Sequence, residues 1–178
     1  MSEQRSGRTT HVLKYNGGTF SIELGARSEK QTFLEPLSRF NGEKPWALTL
    51  VPLPEGMSYD EVLNRKLEET RFLQAGGNAD RMTIEIRQPG GQQWGVESVW
   101  SVVGHRSDDG GRELDVPIKL PRSTQMVARS EVFDAEEAAD LFMDYYKTGE
   151  IPSSYSLRPI GGWTADGAWV DLRSCATS

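Results

Sequence analysis

The sequence predicts an α+β protein, a largely antiparallel sheet packed by two main helices at about 58–74 and 135–148. Three observations lead there. Short runs of strand composition recur along the chain, separated by Gly, Pro and Asn turn signals. Two segments carry a helix-start signal followed by apolar residues at helical spacing. Strands and helices are interspersed without the strict alternation that builds a parallel sheet. With 178 residues the chain suits one domain, 1–178, with 1–9 and 174–178 expected to be disordered.

Taken in order, His11 to Leu24 reads as two short strands around the turn Asn16-Gly17-Gly18. Residues 25–45 mix charge, Gly and Pro with a few apolar anchors (Phe33, Leu37, Phe40) and read mostly as loop. The apolar run from Trp46 to Val51 is a strand, closed by Pro52 and Pro54. Ser58 with Glu61 has capping-box spacing, and Tyr59, Val62, Leu63 and Leu67 continue the first helix toward Gln74, with Gly76-Gly77-Asn78 as its stop. Strands follow at Met82–Ile86 and Trp94–Val103, then at Glu113–Leu120 and Gln125–Val132. Asp134 with Glu137 repeats the cap; Ala138, Leu141, Phe142 and Tyr145 form the apolar stripe of the second helix, which stops at Lys147-Thr148-Gly149. Tyr155–Ile160 and Trp163–Leu172 pair around Ala165-Asp166-Gly167.

Composition excludes several functions. At 37% hydrophobic and 26% charged the chain can bury a core, unlike a disordered one. A formal charge of −6 disfavours direct nucleic-acid binding, which needs a basic stripe to displace counterions, and points to a basic partner. No window approaches a membrane span, and the polar N-terminus lacks a signal-peptide core, so a cytoplasmic address with no membrane partner is expected. The one cysteine, Cys175, permits neither an intrachain disulfide nor a thiolate metal site.

No catalytic motif is assembled. His11 and His105 are the two histidines, and neither lies in a metal-ligating context. His105 could act as a base with Asp108 or Asp109, but a surface-loop histidine explains it more simply. The glycine pairs at 17–18, 76–77, 90–91, 110–111 and 161–162 fit no phosphate-loop pattern and read as turns. Adjacent carboxylates such as Glu68-Glu69, Asp108-Asp109 and Glu136-Glu137 point in different directions and read as solvated faces. The expectation is a binding protein, not an enzyme, with no cofactor and no metal. Five tryptophans are generous, and Trp94, Trp100, Trp163 and Trp169 all fall in strand-like runs. They are either core and rim packing or anchors of a protein interface.

The stretch from Glu113 to about Ile160 resembles the C-terminal part of the Imm1 family of bacterial immunity proteins. The residues that carry this are Asp115-Val116-Pro117, the helix from Ala135 to Tyr146, and its ending Lys147-Thr148-Gly149-Glu150-Ile151-Pro152, with Tyr155–Ile160 as the returning strand. The chain departs from the family after that proline, where Leu157-Arg158-Pro159 replaces a strand ending in Trp, and a further hairpin to Leu172 is appended. A weaker similarity, at Leu53-Pro54-Glu55-Gly56-Met57-Ser58, is to the DcrB-type fold, whose members include effector-loading adaptor chaperones. The first resemblance implies an antitoxin that binds a cognate toxin and occludes its active site; the second implies an adaptor of a secretion system. With the acidic charge, the first directs attention to Trp94, Trp100, Asp108, Asp109, Glu136, Asp140 and Asp144 as partner-binding residues.

Overall fold

The computed structural model describes residues 8–67, 70–106 and 113–175. Its frame is an eight-stranded antiparallel sheet in the order β10-β9-β6-β5-β4-β3-β1-β2. The strands are β1 (His11–Tyr15), β2 (Phe20–Leu24), β3 (Ala47–Pro52), β4 (Phe72–Asn78), β5 (Arg81–Pro89), β6 (Ser98–His105), β9 (Tyr155–Trp163) and β10 (Trp169–Asp171). A separate hairpin is formed by β7 (Val116–Lys119) and β8 (Thr124–Val127). Three α-helices accompany them: α1 (Lys30–Ser38), α2 (Tyr59–Asn64) and α3 (Ala135–Thr148). The α+β, largely antiparallel architecture is therefore as the sequence predicts.

One face of the sheet is aliphatic. Cross-strand partners Leu13/Leu50, Leu50/Leu73 and Leu73/Ile86, with Leu48/Ala75 and Ala75/Ile84 beside them, lay a continuous apolar row over β1, β3, β4 and β5. Against it α3 buries Ala138, Leu141, Phe142 and Tyr145, the stripe its spacing predicts, and α1 adds Phe33 and Leu37. Phe33 and Phe142 pack with ring centroids 5.8 Å apart. Each such large side chain contributes about 1.5–3 kcal/mol through the area it removes from water, and this cluster is the main core.

α3 is closed at both ends as expected. Asp134 accepts from the Glu137 amide, and Gly149, at φ 74°, caps the C-terminus in the left-handed conformation. The Ser58–Glu61 capping box is present too, but the helix it starts is short. The helix expected over 58–74 ends at Asn64, and Phe72–Asn78 is strand β4, paired on both sides. Burial of Leu73 and Ala75 between β3 and β5 outweighs the helical spacing upstream. Within residues 25–45, read as loop, α1 forms although Glu29 gives no side-chain cap and Pro36 lies inside it; Phe33 and Leu37, one turn apart, are fully buried.

Two glycine pairs read as turns lie inside strands. Gly76 and Gly77 in β4 make room for the β7–β8 hairpin: a Cβ on Gly76 would lie 3.4 Å from Leu120, and one on Gly77 2.9 Å from Ile118 and 2.6 Å from the Arg81 carbonyl. Gly161 and Gly162 belong to β9. The strand expected over 94–103 begins only at Ser98; Trp94 sits in a 3₁₀ turn, Gln92–Trp94. The strand expected over 125–132 stops at Val127, and a 3₁₀ turn, Arg129–Glu131, leads to α3.

The hairpin seat can be tested by urea denaturation. Gly77→Ala should cost about 2–4 kcal/mol, combining a positive-φ penalty with a clash. Gly90→Ala has a similar φ of 132° but nothing within 4 Å of its Cβ, so it should cost about 1 kcal/mol. Equal losses would mean that neither Ile118 of the hairpin nor the Arg81 carbonyl of β5 crowds this position.

Candidate functional site

The opposite face of the sheet is covered in pieces, and where cover stops it is aromatic. Phe72 pairs in register with Arg87, Arg87 with Trp100, Ser98 with Trp163, and Trp163 with Trp169. Their sequence neighbours Leu73 and Ile86 face α3, so strand alternation puts this set on the far side. The rings form a row across β4, β6, β9 and β10: Phe72 edge-on to Trp100 at 5.5 Å, Trp100 stacked on Trp163 at 5.7 Å, and Trp163 edge-on to Trp169 at 4.7 Å. The Arg87 guanidinium lies 3.5 Å from the Trp163 ring centroid, while its Nε and Nη2 donate to Ser98 Oγ. Trp169, 47% exposed, lies over Gly161, where a Cβ would come within 1.9 Å of its ring.

Glu85 ties this row to the hairpin. It is 7% exposed and accepts from Trp100 Nε1 at 2.9 Å and from Gln125 Nε2 at 2.6 Å. Burial pushes its carboxyl above the usual range; the Gln125 and Trp100 hydrogen bonds and the charge of Arg158 act the other way. The carboxyl serves as an acceptor that fixes the Trp100 indole, and it needs no charge to do so.

Beside the row lies a cavity of about 370 Å³, within the size range of ligand pockets. Trp94, Leu114, Leu157 and Pro159 supply its apolar wall, and Ser156, Glu131 and Arg158 its polar one. Arg158 holds Glu131 through Nε at 2.8 Å and Nη2 at 3.1 Å. Glu131, its side chain 5% exposed, also accepts from the Ala128 amide, so its charge is compensated.

Neither histidine borders that cavity. His105 has its carboxylate, but from α3: both Glu137 oxygens lie 2.8 Å from Nε2, while Nδ1 lies 2.7 Å from the Ser130 carbonyl. Both ring nitrogens face acceptors, which leaves neither free to take a substrate proton. The Tyr155 hydroxyl donates to the same carboxylate, and its own ionisation is pushed up to about 12 by burial and by Glu137. His105, stacked on Phe133 at 4.6 Å, thus joins β6, β9 and α3. His11 packs on Tyr146 at 4.5 Å. Among the described residues no group of three or more His, Cys, Asp or Glu could hold a metal, and no helix is long and apolar enough to cross a membrane.

Compared with protein families, curated proteins and solved structures, the chain has no match. The site must be read from its own geometry.

Of the residues singled out from sequence, Trp100 lies in the aromatic row and Trp94 in the cavity wall. Glu136, Asp140 and Asp144 are exposed on α3, on the other side of the sheet. Lys30 bridges Glu136 at 3.0 Å and Asp140 at 2.8 Å, so two of the three acids already have a cation. Asp108 and Asp109, the glycine pair 110–111 and the pair Glu68-Glu69 lie outside the described residues. The residues the sequence did not bring together are Phe72, Arg87, Trp163 and Trp169. Period-two spacing relates residues only within a strand; the cross-strand register that assembles them is not visible in composition.

Two measurements probe these assignments. Glu85→Gln should change stability by less than about 1 kcal/mol, whereas Glu85→Ala, which orphans the Trp100 and Gln125 donors, should cost about 2–4 kcal/mol in chemical denaturation; equal losses would show that the charge is needed. Burial holds the His11 imidazole down at about 4, against 6.5 for a histidine free in water. Between those values the unfolded chain binds the extra proton, so the contribution of His11 is complete above about pH 6.5 and drains away as the pH falls toward 4. From about pH 7 to 4 the urea midpoint should fall more for the native chain than for His11→Gln. The difference should be on the order of 1 kcal/mol after allowance for partial exposure.

Proposed function

We propose that this chain is an immunity protein, one that binds a cognate toxin and neutralises it by occluding the active site, without catalysing a reaction itself. The observation that carries the reading is the half-open aromatic row Phe72, Trp100, Trp163 and Trp169. Tryptophan concentrates binding energy where a partner excludes water from its ring, and here three tryptophans are locked against one another with little conformational freedom left to lose on binding. The occupied nitrogens of His105 favour binding over chemistry. A basic toxin suits both the charge of −6, which speeds encounter, and the exposed Trp169 face, on which an Arg or Lys of the partner can stack. In this reading the chain acts in the cytoplasm and touches neither nucleic acid nor membrane.

A second reading, an effector-loading adaptor, is favoured by the same uncovered sheet face, which could receive an apolar helix of a client. Co-expression with the toxin encoded beside the gene separates them: an immunity protein restores growth and forms a complex with the folded toxin domain. Trp169→Ser, on an exposed ring, should leave the melting temperature within a few degrees and weaken that complex about thirtyfold or more. No complex at micromolar concentration would overturn the immunity reading; a complex formed only with an isolated apolar helix of a secreted protein would replace it with the adaptor.

A further inference from the structure

The β7–β8 hairpin rests on a polar part of the sheet. Thr49, Gln74 and Glu85 stand in register across β3, β4 and β5, and two residues along, Thr83 of β5 stands opposite Gly76 of β4. Strand alternation puts all of them on the side away from α3. Thr49, Thr83 and Glu85 are buried, so this layer has to pair its own polar atoms. Most of them pair directly. The Thr49 hydroxyl donates to Gln74 Oε1 at 3.2 Å, and Glu85 accepts from Gln125 Nε2 and from Trp100 Nε1. The Thr83 hydroxyl is the exception: its residue is 3% exposed, and it has no hydrogen-bond partner among the described residues. An unpaired buried hydroxyl of this kind costs stability.

Thr83 borders a cavity of about 20 Å³, enclosed by Thr83, Glu85, Gln74 and Gly76 of the sheet and by Leu120 and Gln125 of the hairpin. An internal water needs roughly 10–15 Å³ of free space and two to four polar partners, whereas apolar cavities stay dry. Partners are at hand. Gln125 spends its Nε2 on Glu85 and keeps its carbonyl oxygen, and each Glu85 oxygen, having accepted one bond, can accept another. A bare cation fits the same space less well. Glu85 is the one carboxyl among the described residues that line it, and burial already pushes that carboxyl toward its neutral form, which leaves little charge to offset a cation's desolvation.

We propose that this cavity binds one water molecule as a fixed part of the fold, bridging the Thr83 hydroxyl to Gln125 and Glu85 beneath the hairpin. The water accepts from the Thr83 hydroxyl and donates to Gln125 Oε1 and to a Glu85 oxygen. The hairpin is then tied to the sheet twice, by the direct Gln125–Glu85 bond and through the water. The site goes beyond the aromatic docking face and does not depend on what that face binds.

Two measurements on the full chain test this. A crystal structure at atomic resolution should show a single water within hydrogen-bond distance of Thr83 Oγ1 and of Gln125 or Glu85. An empty cavity, a Thr83 hydroxyl bonded directly to a protein acceptor, or a metal cation in the cavity would each overturn the proposal. Thr83→Val, which is nearly isosteric, supplies an independent sign. Removing an orphaned hydroxyl relieves a penalty and should raise the urea midpoint, whereas removing one that holds a water deprives that water of a partner and should lower it. The expected result is a lower midpoint; a rise or no change would overturn the proposal. Failure of the toxin complex would leave both readouts untouched.

Discussion

Eight strands side by side present two broad faces, and the helices of this chain are enough to cover one. α3 and α1 bury their stripes on the Leu13–Leu50–Leu73–Ile86 row. Among the described residues the second face is left to the two-stranded β7–β8 hairpin and the 3₁₀ turn Arg129–Glu131. That shortfall organises the rest of the molecule. Where the hairpin sits, β4 gives up its side chains as Gly76 and Gly77; where no described element sits, the sheet carries aromatic rings, which stay partly wet at modest cost because they shelter one another.

The polar interior follows from the same arrangement. A hairpin resting on a sheet face needs an anchor, and Glu85 provides one, bridging Gln125 of β8 and Trp100 of β6. The Glu131–Arg158 pair does this for the turn before α3, and His105 with Glu137 and Tyr155 does it for the helix itself. Three buried or half-buried carboxyls therefore each join a covering element to β5, β6 or β9.

Much of this was legible in the sequence and some of it was not, for identifiable reasons. α3 was read to within a residue because its stripe, its Asp134 cap and its Gly149 stop all agree. The Ser58 cap was legible too, but a cap marks only where a helix starts. Leu63 and Leu67 at helical spacing, followed by Gly76-Gly77 in the place of a stop, hid a strand whose glycines lie under Ile118 and Leu120 of a hairpin much later in the chain. α1 lacked every terminal signal, and Phe33 and Leu37 alone could not announce it. The tryptophans were placed in or beside strands, but which face each occupied depends on register, which no single strand contains. The partner of His105 stands 32 residues away in sequence, whereas the acids nearest in the chain, Asp108 and Asp109, had drawn the attention.

Gly161 and Trp169 form a lock made of an absence and a ring. The indole occupies the space a side chain at 161 would need, so the two positions are tied although only one of them has anything to contribute. In divergent copies of this protein a bulkier residue at 161 should be found only where 169 has shrunk, and the reverse exchange carries no such restriction. This one-way covariation would trace the aromatic surface through evolution more faithfully than the identity of any one tryptophan.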